Sequence, residues 1–153
     1  MPRRFCGKND GMTETGPGGR ILIVDDEPFI VETLRFALEK AGYGCLVAYD
    51  GEEAMSIARS ERPDLILLDI MLPKLNGFQI CRLLKSDEAY RAIPIIMLTA
   101  RTQARDRLLG KEIGADEYIT KPFELPDLLR VIARYLPPPI RPFATTPGAQ
   151  PAP

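Results

Sequence analysis

Acidic residues follow two short apolar runs of the sequence, at the positions where buried strands would end. Asp25 and Asp26 come directly after ILIV, and Asp69 comes directly after LILL. A hydroxyl and an ammonium take the same place after two later runs, because Thr99 follows IIML and Lys121 follows EYIT. Three carboxylates, a hydroxyl and an ammonium are therefore candidates for one chemical site.

The chemistry of such a group follows from its charges. Crowded carboxylates repel one another, and their pKa values rise unless a cation compensates. Oxygen ligands without histidine or cysteine favour a hard cation, which indicates Mg²⁺, with Mn²⁺ as an alternative. A carboxylate nucleophile beside a metal ion, a lysine and a hydroxyl suits in-line phosphoryl transfer, because the cations neutralise charge on the phosphoryl oxygens.

Each of these residues also has an ordinary structural explanation. Asp25 and Asp26 could begin a loop and cap the helix that follows. Thr99 could also cap a helix, and Lys121 could be a solvated loop charge. Chance would have to place suitable side chains after four separate strands, however, so the joint arrangement favours a shared site.

The elements that would position this site alternate between strand-length apolar runs and amphipathic segments of helix length. Continuous apolar runs are typical of strands covered by helices on both faces. We therefore predict an α/β fold, a three-layer doubly wound (βα)5 sandwich with a parallel five-stranded sheet, whose carboxyl edge binds ligands. The predicted strands are 21–24, 44–48, 65–69, 95–99 and 117–120, and the predicted helices are 28–41, 51–60, one capped by Asn76, 102–113 and 125–136.

Composition places the chain among globular proteins and removes several classes of chemistry. Hydrophobic residues make up 45% and charged residues 27%, and with a net charge of −1 the chain has no overall basic field that would suggest nucleic-acid binding. The absence of histidine removes Ser-His-Asp and Cys-His catalysis and argues against a transition-metal site. Scattered cysteines, no membrane-length apolar run and no signal-peptide pattern lead us to expect a cytoplasmic protein without membrane contact.

The two ends of the chain differ in composition from the middle. Residues 1–19 are polar and glycine-rich, and residues 137–153 are dominated by proline, so we expect a flexible segment at each end. Residues 20–136 are expected to form one folded domain, which is what a chain of this length accommodates.

Four ordered motifs give the sequence a resemblance to a known family. They are DDE after the first predicted strand, LLDIMLPKLNG around the third, LTA at the fourth and KPF after the fifth. Over residues 20–136 the chain resembles the receiver domain of bacterial two-component response regulators, and it looks closest to the receivers of winged-helix transcription factors. The resemblance implies a flavodoxin-like fold with strand order 2-1-3-4-5, and a switch phosphorylated by a histidine kinase or a phosphotransfer protein.

The resemblance also implies a role for each residue of the acidic group. Asp69 would be the phosphoacceptor and one ligand of Mg²⁺. Asp26 would bind the ion directly, whereas Asp25 would act through a water molecule. The backbone carbonyl of Met71 would complete the protein ligands.

Residues at the fourth and fifth strands complete the implied site. Thr99 would hydrogen-bond one phosphoryl oxygen, and Lys121 would pair with another. The peptide bond between Lys121 and Pro122 is expected to be cis. Ala100 and Arg101 follow Thr99 in the motif, and Arg101 would influence the lifetime of the phosphoryl group.

The implied output is a shift between two conformations. Phosphorylation would pull Thr99 inward, and Tyr118 would fill the space that it leaves. The face formed by the predicted fourth helix, fifth strand and fifth helix would change and could mediate a homodimer. Arg107 and Asp127 stand where one charged pair across such a dimer is expected, although Val131 stands where an arginine partner is usual.

Other functions fit the sequence less well. An aspartyl phosphatase with its own substrate carries its nucleophile early in the chain and adds a cap, for which there is no room. A nucleotide or flavin site would carry GxxxxGK[ST] or GxGxxG, and GPGG at 16–19 precedes the first strand. A degenerate receiver used only for docking would lack key residues that are present here. We therefore expect no separate substrate turnover, only the domain's own phosphoryl transfer and dephosphorylation.

Two outputs stay open. The chain could be a stand-alone receiver that acts by binding an effector protein, or the receiver part of a longer DNA-binding transcriptional regulator with a fused output domain. Neither a helix-turn-helix pattern nor a basic recognition helix follows residue 136, so this domain is not expected to contact nucleic acid directly.

Overall fold

The computed structural model describes residues 19–100 and 114–137. Among the helices of these residues, none combines the length and the apolar composition needed to cross a membrane. The predicted helix 102–113, with Arg101 and Arg107, lies outside these residues, as do 1–18 and 138–153. The strands are β1 (Arg20–Val24), β2 (Gly44–Ala48), β3 (Leu65–Asp69), β4 (Ile95–Ala100) and β5 (Glu117–Lys121), and the helices are α1 (Pro28–Lys40), α2 (Gly51–Glu61), α3 (Gly77–Lys85) and α4 (Leu125–Tyr135).

The five strands are parallel and form one sheet in the order β2-β1-β3-β4-β5, which confirms the predicted fold class and the order 2-1-3-4-5. β3 lies at the centre, and all of its residues are buried. The register pairs Val24 with Leu68 and Asp69 with Leu98. The carboxyl ends of β1, β3 and β4 therefore meet at one edge of the sheet.

A hydrophobic core covers each face of the sheet. α1 and α4 pack on one face, where Ile23 and Leu67 are fully buried. α2 and α3 pack on the other face, where Ile66 and Leu68 are buried. Successive residues of a strand point to opposite faces. Because both faces are covered, the strands are continuous apolar runs rather than alternating ones.

Two of the helices that follow the strands begin with side-chain caps. The Asp50 carboxylate accepts a hydrogen bond from the Glu53 N–H at 2.8 Å, at the start of α2. The Asn76 side chain accepts from the Gln79 N–H at 2.9 Å, and the Gln79 side chain accepts from the Asn76 N–H in return. This reciprocal cap satisfies N–H groups that the first turn of α3 leaves without partners. It fixes the start of α3 close behind β3.

The observed boundaries differ from the predicted ones by one or two residues. α1 ends at Lys40, α2 continues to Glu61, and β5 includes Lys121 as its last residue. The end of α2 is set by Arg62, which adopts a left-handed φ of 48°, a conformation that more often selects glycine after a helix.

Candidate functional site

The three predicted carboxylates meet at the carboxyl edge of the sheet. Asp25 follows β1 and is fully buried, whereas the next residue, Asp26, is exposed. Asp69 is the last residue of β3, and only 7% of its surface is exposed. One carboxylate oxygen from each of these residues lies within 4.8 Å of the other two. Two of the acids, Asp25 and Asp69, are thus buried, and the third, Asp26, is exposed to solvent.

Lys121 lies between the two buried acids. Its Nζ atom is 3.1 Å from Asp25 Oδ2 and 3.3 Å from Asp69 Oδ1. The ammonium reaches them because Lys121 ends β5, and its side chain is only 23% exposed. The peptide bond from Lys121 to Pro122 is cis. One lysine therefore bridges residues that follow β1 and end β3.

Burial and charge act in opposite directions on this pair of groups. Burial raises the pKa of the Asp69 carboxyl to about 6, with Lys121 opposing the rise and Asp25 adding to it. Burial alone would lower the pKa of the Lys121 ammonium, but Asp69 and Asp25 more than offset this effect, and the pKa is raised. The lysine stays charged near neutral pH, and Asp69 is ionised at the cost of burying a charge.

The raised pKa of Asp69 predicts a pH-dependent penalty on the metal-free fold. The folded state holds the Asp69 proton up to a pH of about 6, whereas the unfolded chain releases it near the ordinary value of 3.8. Between these values stability falls as pH rises, because the folded state binds more protons than the unfolded state. We expect Asp69→Asn to raise the thermal midpoint of metal-free protein at pH 7.5, with the gain disappearing near pH 4. A gain that is unchanged at pH 4 would contradict this assignment.

The other residues predicted for the switch lie on β4 and β5. Thr99 is buried near the end of β4, opposite Thr120 of β5. Tyr118 is half-buried, pairs in register with Met97, and packs against the core beneath α2 and α3. Ala100 ends β4. Thr99 and Tyr118 are therefore on adjacent strands, β4 and β5.

The loop from 70 to 76 passes close behind Asp69. Interaction with the Met71 backbone lowers the pKa of the Asp69 carboxyl slightly against the effect of burial, and the Met71 side chain is 64% exposed. The Gly77 N–H donates to the Ile70 carbonyl at 2.9 Å, which folds the loop back on the strand. A Cβ atom at Gly77 would lie only 2.5 Å from the Asp69 carbonyl oxygen, so a glycine is needed where α3 begins.

The donor set fits a hard divalent cation. Three carboxylates offer oxygen ligands, and no histidine exists in the chain to favour a softer metal. In the part of the chain that the structure describes, Lys121 is the cation that pairs with both buried acids. Asp25, Asp26 and Asp69 could therefore hold a metal ion.

Sequence reasoning missed the turn that follows β2, which contacts the loop behind Asp69. Gly51 donates its N–H to the Pro73 carbonyl at 3.3 Å. Lys74 Nζ lies 3.6 Å from Asp50 Oδ2 and 3.6 Å from Glu52 Oε1. The spacing of Asp50 and Glu53 could have identified the cap, but nothing local indicates the contact with Pro73.

An apolar pocket of about 450 Å³ opens beside Lys121, between α1 and the loop from β5 to α4. Phe29 at its rim is 82% exposed, although it is a large apolar side chain. The pocket is lined by Phe29, Ile30, Thr33, Leu34, Lys121, Pro122 and Phe123.

The acids of the predicted dimer face are paired within the chain. The Asp127 carboxylate accepts a hydrogen bond from Arg130, one turn along α4. Glu117 Oε2 accepts from Arg134 at 3.1 Å and from the Tyr135 hydroxyl at 3.0 Å. A dimer through this face would have to share or exchange these partners.

Comparison with known proteins assigns the family. The family model of the response regulator receiver domain matches residues 21–133, which is most of the chain. The chain belongs to the response regulator receiver domain family. Proteins of this family are signalling proteins that work with histidine kinases and output domains.

Individual relatives agree with this family. The receiver domain is 51% identical over 104 residues to the alkaline phosphatase synthesis transcriptional regulatory protein PhoP of Bacillus subtilis, covering 68% of this chain and 42% of that protein. The curated relatives are longer, and the chain spans about half of their length.

Two solved structures show the same fold. The chemotaxis response regulator CheY4 of Vibrio cholerae is 34% identical, with a TM-score of 0.72 over 76% of this chain and 98% of that one. The receiver domain of a sensor histidine kinase from Pseudomonas aeruginosa is 35% identical, with a TM-score of 0.71 over 77% and 97%. That structure holds a magnesium ion coordinated in its active-site cleft.

Proposed function

We propose that this receiver domain is a phosphorylation-activated switch that accepts a phosphoryl group on Asp69 in the cytoplasm. The observation that carries the proposal is the convergence of the Asp25, Asp26 and Asp69 carboxylates on one point, with the Lys121 ammonium between the two buried acids. The Lys121 ammonium, together with a cation held by the carboxylates, would neutralise charge where a phosphoryl oxygen would lie.

The residues act together on an incoming phosphoryl group. One Asp69 oxygen attacks the phosphorus in line with the donor's phosphohistidine nitrogen. An O–P bond forms as the N–P bond breaks, and the electron pair of that bond stays on the imidazole. Lys121 pairs with one phosphoryl oxygen, and the Thr99 hydroxyl donates a hydrogen bond to another. These two contacts stabilise the charge that spreads over the transferring group.

Mg²⁺ is the cation that the site would hold, with Mn²⁺ as a substitute. Asp26 and Asp69 would be carboxylate ligands, Met71 would offer its carbonyl oxygen, and Asp25 would act through water. When bound, the ion supplies positive charge to the phosphoryl oxygens. The resting position of Lys121 between Asp25 and Asp69 supports this proposal, since the acids already require a cation.

The donor and the output would use different surfaces. The pocket beside Phe29 and Lys121 is suited to an apolar side chain of a histidine kinase or phosphotransfer protein, because it opens next to the reactive edge. Thr99 and Tyr118, on adjacent strands, would carry the change to the face formed by β5 and α4. That face would contact an effector or a second copy of the domain.

A second candidate concerns the whole protein. The chain spans about half the length of curated relatives that are described as DNA-binding or transcriptional regulators. We therefore also propose that this receiver is part of a DNA-binding regulator, whose output domain it controls. Extending the reading frame beyond Pro153 tests this directly: a following DNA-binding domain would support it, and a stop codon would contradict it.

Phosphorylation by a small donor tests the central proposal. Wild-type protein incubated with acetyl phosphate and Mg²⁺ should acquire one phosphoryl group, which a phosphate-affinity gel separates from the unmodified form. Asp69→Asn should acquire none, because an amide is not a nucleophile here. Equal modification of both proteins, or of neither, would overturn the proposal. Omitting Mg²⁺ should reduce the modification of the wild type sharply.

A further inference from the structure

The turn between β2 and α2 touches the loop behind Asp69 through backbone atoms. A Cβ atom at Gly51 would lie 2.3 Å from the Leu75 carbonyl oxygen and 2.4 Å from Leu75 Cβ. Protein Cβ atoms do not approach other heavy atoms so closely, so the two segments can be this near only because residue 51 is glycine. The Gly51 N–H also donates to the Pro73 carbonyl at 3.3 Å.

The turn is held in place from its own side. Asp50 accepts from the Glu53 N–H at 2.8 Å, and the Glu53 carboxylate accepts from the Tyr49 N–H at 2.8 Å. These bonds fix residues 49–51, which we call the supporting turn, to the first turn of α2. The supporting turn cannot retreat without breaking the cap of that helix.

The loop is held just as closely on the side of the acids. The Gly77 N–H donates to the Ile70 carbonyl at 2.9 Å, and a Cβ atom at Gly77 would lie 2.5 Å from the Asp69 carbonyl oxygen. The supporting turn contacts Pro73 and Leu75, which lie in the short loop that directly follows Asp69. A displacement of Leu75 is therefore passed to Met71 rather than absorbed by a long loop.

The ionic contacts of the same loop are weaker than the steric one. Lys74 has a left-handed φ of 71° and reaches Asp50 and Glu52, each at 3.6 Å. Its side chain is 55% exposed, and exposed ion pairs add little to stability. The close approach of Gly51 and Leu75 is therefore the contact that sets the position of the loop.

We propose that the supporting turn positions the 70–76 loop for metal binding, with Gly51 as a positioning residue for the acidic site. This inference rests on the proposed function, because it concerns the metal affinity of that same site. It assigns control of the site to the end of β2, a strand that contributes no reactive side chain. Groups that orient metal ligands from outside typically change metal affinity about 10- to 100-fold when they are removed.

Alanine substitutions at two glycines, Gly51 and Gly44, distinguish this specific role from the general effect of replacing a glycine. Gly51→Ala should raise the Mg²⁺ dissociation constant about 10-fold or more, measured by calorimetric titration. Gly44→Ala is the control, because a Cβ there would meet only ordinary contacts, the nearest being 3.4 Å to Arg20 Cγ. It should bind Mg²⁺ like the wild type. In metal-free protein, the amide chemical shifts of residues 70–76 should move in Gly51→Ala and stay unchanged in Gly44→Ala.

Lys74→Gly separates the steric contact from the ionic one. Glycine accepts the left-handed backbone at residue 74 and removes both ion pairs. We expect its Mg²⁺ dissociation constant to change by less than about fivefold. A larger effect for Lys74→Gly than for Gly51→Ala would assign the loop position to charge and overturn the steric role of Gly51.

Amide exchange in the wild type gives a test that needs no variant to fold. If metal binding and the supporting turn are coupled, saturating Mg²⁺ should slow exchange of the Gly51 N–H, which bonds Pro73. The Gly44 N–H, which bonds Gly19 at 2.9 Å, should be unaffected. Unchanged Gly51 exchange, or equal Mg²⁺ affinities of Gly51→Ala and the wild type, would overturn the inference alone. A wild type that neither binds Mg²⁺ nor accepts a phosphoryl group would overturn the proposed function instead.

Discussion

Lys121→Met should reduce phosphorylation by acetyl phosphate about 100-fold or more while leaving Mg²⁺ binding intact. The ammonium lies 3.1 Å from Asp25 and 3.3 Å from Asp69, where it can stabilise charge on a transferring phosphoryl group. Removing one fixed donor of this kind typically costs 10²- to 10³-fold in rate. Mg²⁺ should bind at least as well as in the wild type, because a competing cation leaves the acids. Rates come from phosphate-affinity gels, and affinities from calorimetry.

Lys85→Met is the matched control for this prediction. Lys85 is also a half-buried lysine paired with an aspartate, since its Nζ atom lies 2.8 Å from Asp116 Oδ2. Asp116 accepts the Ile95 N–H as well, which places this pair at the amino ends of β4 and β5, opposite the acidic site. We expect Lys85→Met to lower the thermal midpoint but to keep the wild-type rate. A Lys121→Met protein that is phosphorylated as fast as Lys85→Met would contradict the role given to Lys121.

Leu67→Ala should lower the free energy of unfolding by about 3–5 kcal/mol, the largest loss of stability that we expect from one substitution. Leu67 is fully buried in the centre of β3, in register with Ile23 and Ile96 on the neighbouring strands. Truncation leaves a cavity that α1 and α4 cannot fill without moving together. The measurement is urea unfolding, in which the midpoint should shift and the slope should stay the same.

Leu83→Ala provides the comparison at matched chemistry. Leu83 is 47% exposed on α3, so the same atoms are removed from a side chain that is already half in water. A change below about 1 kcal/mol is expected there. If both leucines cost the same, burial in the core beneath α1 and α4 would not be what stabilises β3.

The sequence was sufficient to predict the fold and the residues that face one another across the strand ends. Parallel strands bring their carboxyl ends to one edge, so the residue type after each apolar run already places Asp25, Asp69 and Lys121 together. The order of the strands in the sheet and the burial of both of its faces are as predicted. The roles given to these residues in phosphoryl transfer remain predictions.

Contacts between loops could not be predicted in the same way. Gly51 and Leu75 are brought together by two strands that are not neighbours in the sheet, β2 and β3. The hydrophobic periodicity of the two segments does not predict the close approach of Gly51 and Leu75. Periodicity indicates which face of a helix or strand is buried, but not which residues a turn contacts. Arg62, which ends α2 in a left-handed conformation, also escaped prediction, because glycine is the residue that usually marks such an end.

The edge position of β5 implies an order in which the site would come apart. β5 is hydrogen-bonded on one side, to β4, and its residues are half-buried, whereas β1 and β3 lie inside the sheet. Edge elements open locally at lower free energy than interior ones. Brief fraying of β5 would withdraw Lys121 while Asp25 and Asp69 stayed in place. A phosphoryl group that holds Lys121 would resist this fraying, and amide exchange along 118–121 should slow when Asp69 is phosphorylated. Phosphorylation of Asp69 would then be detectable as reduced fraying of the edge strand β5.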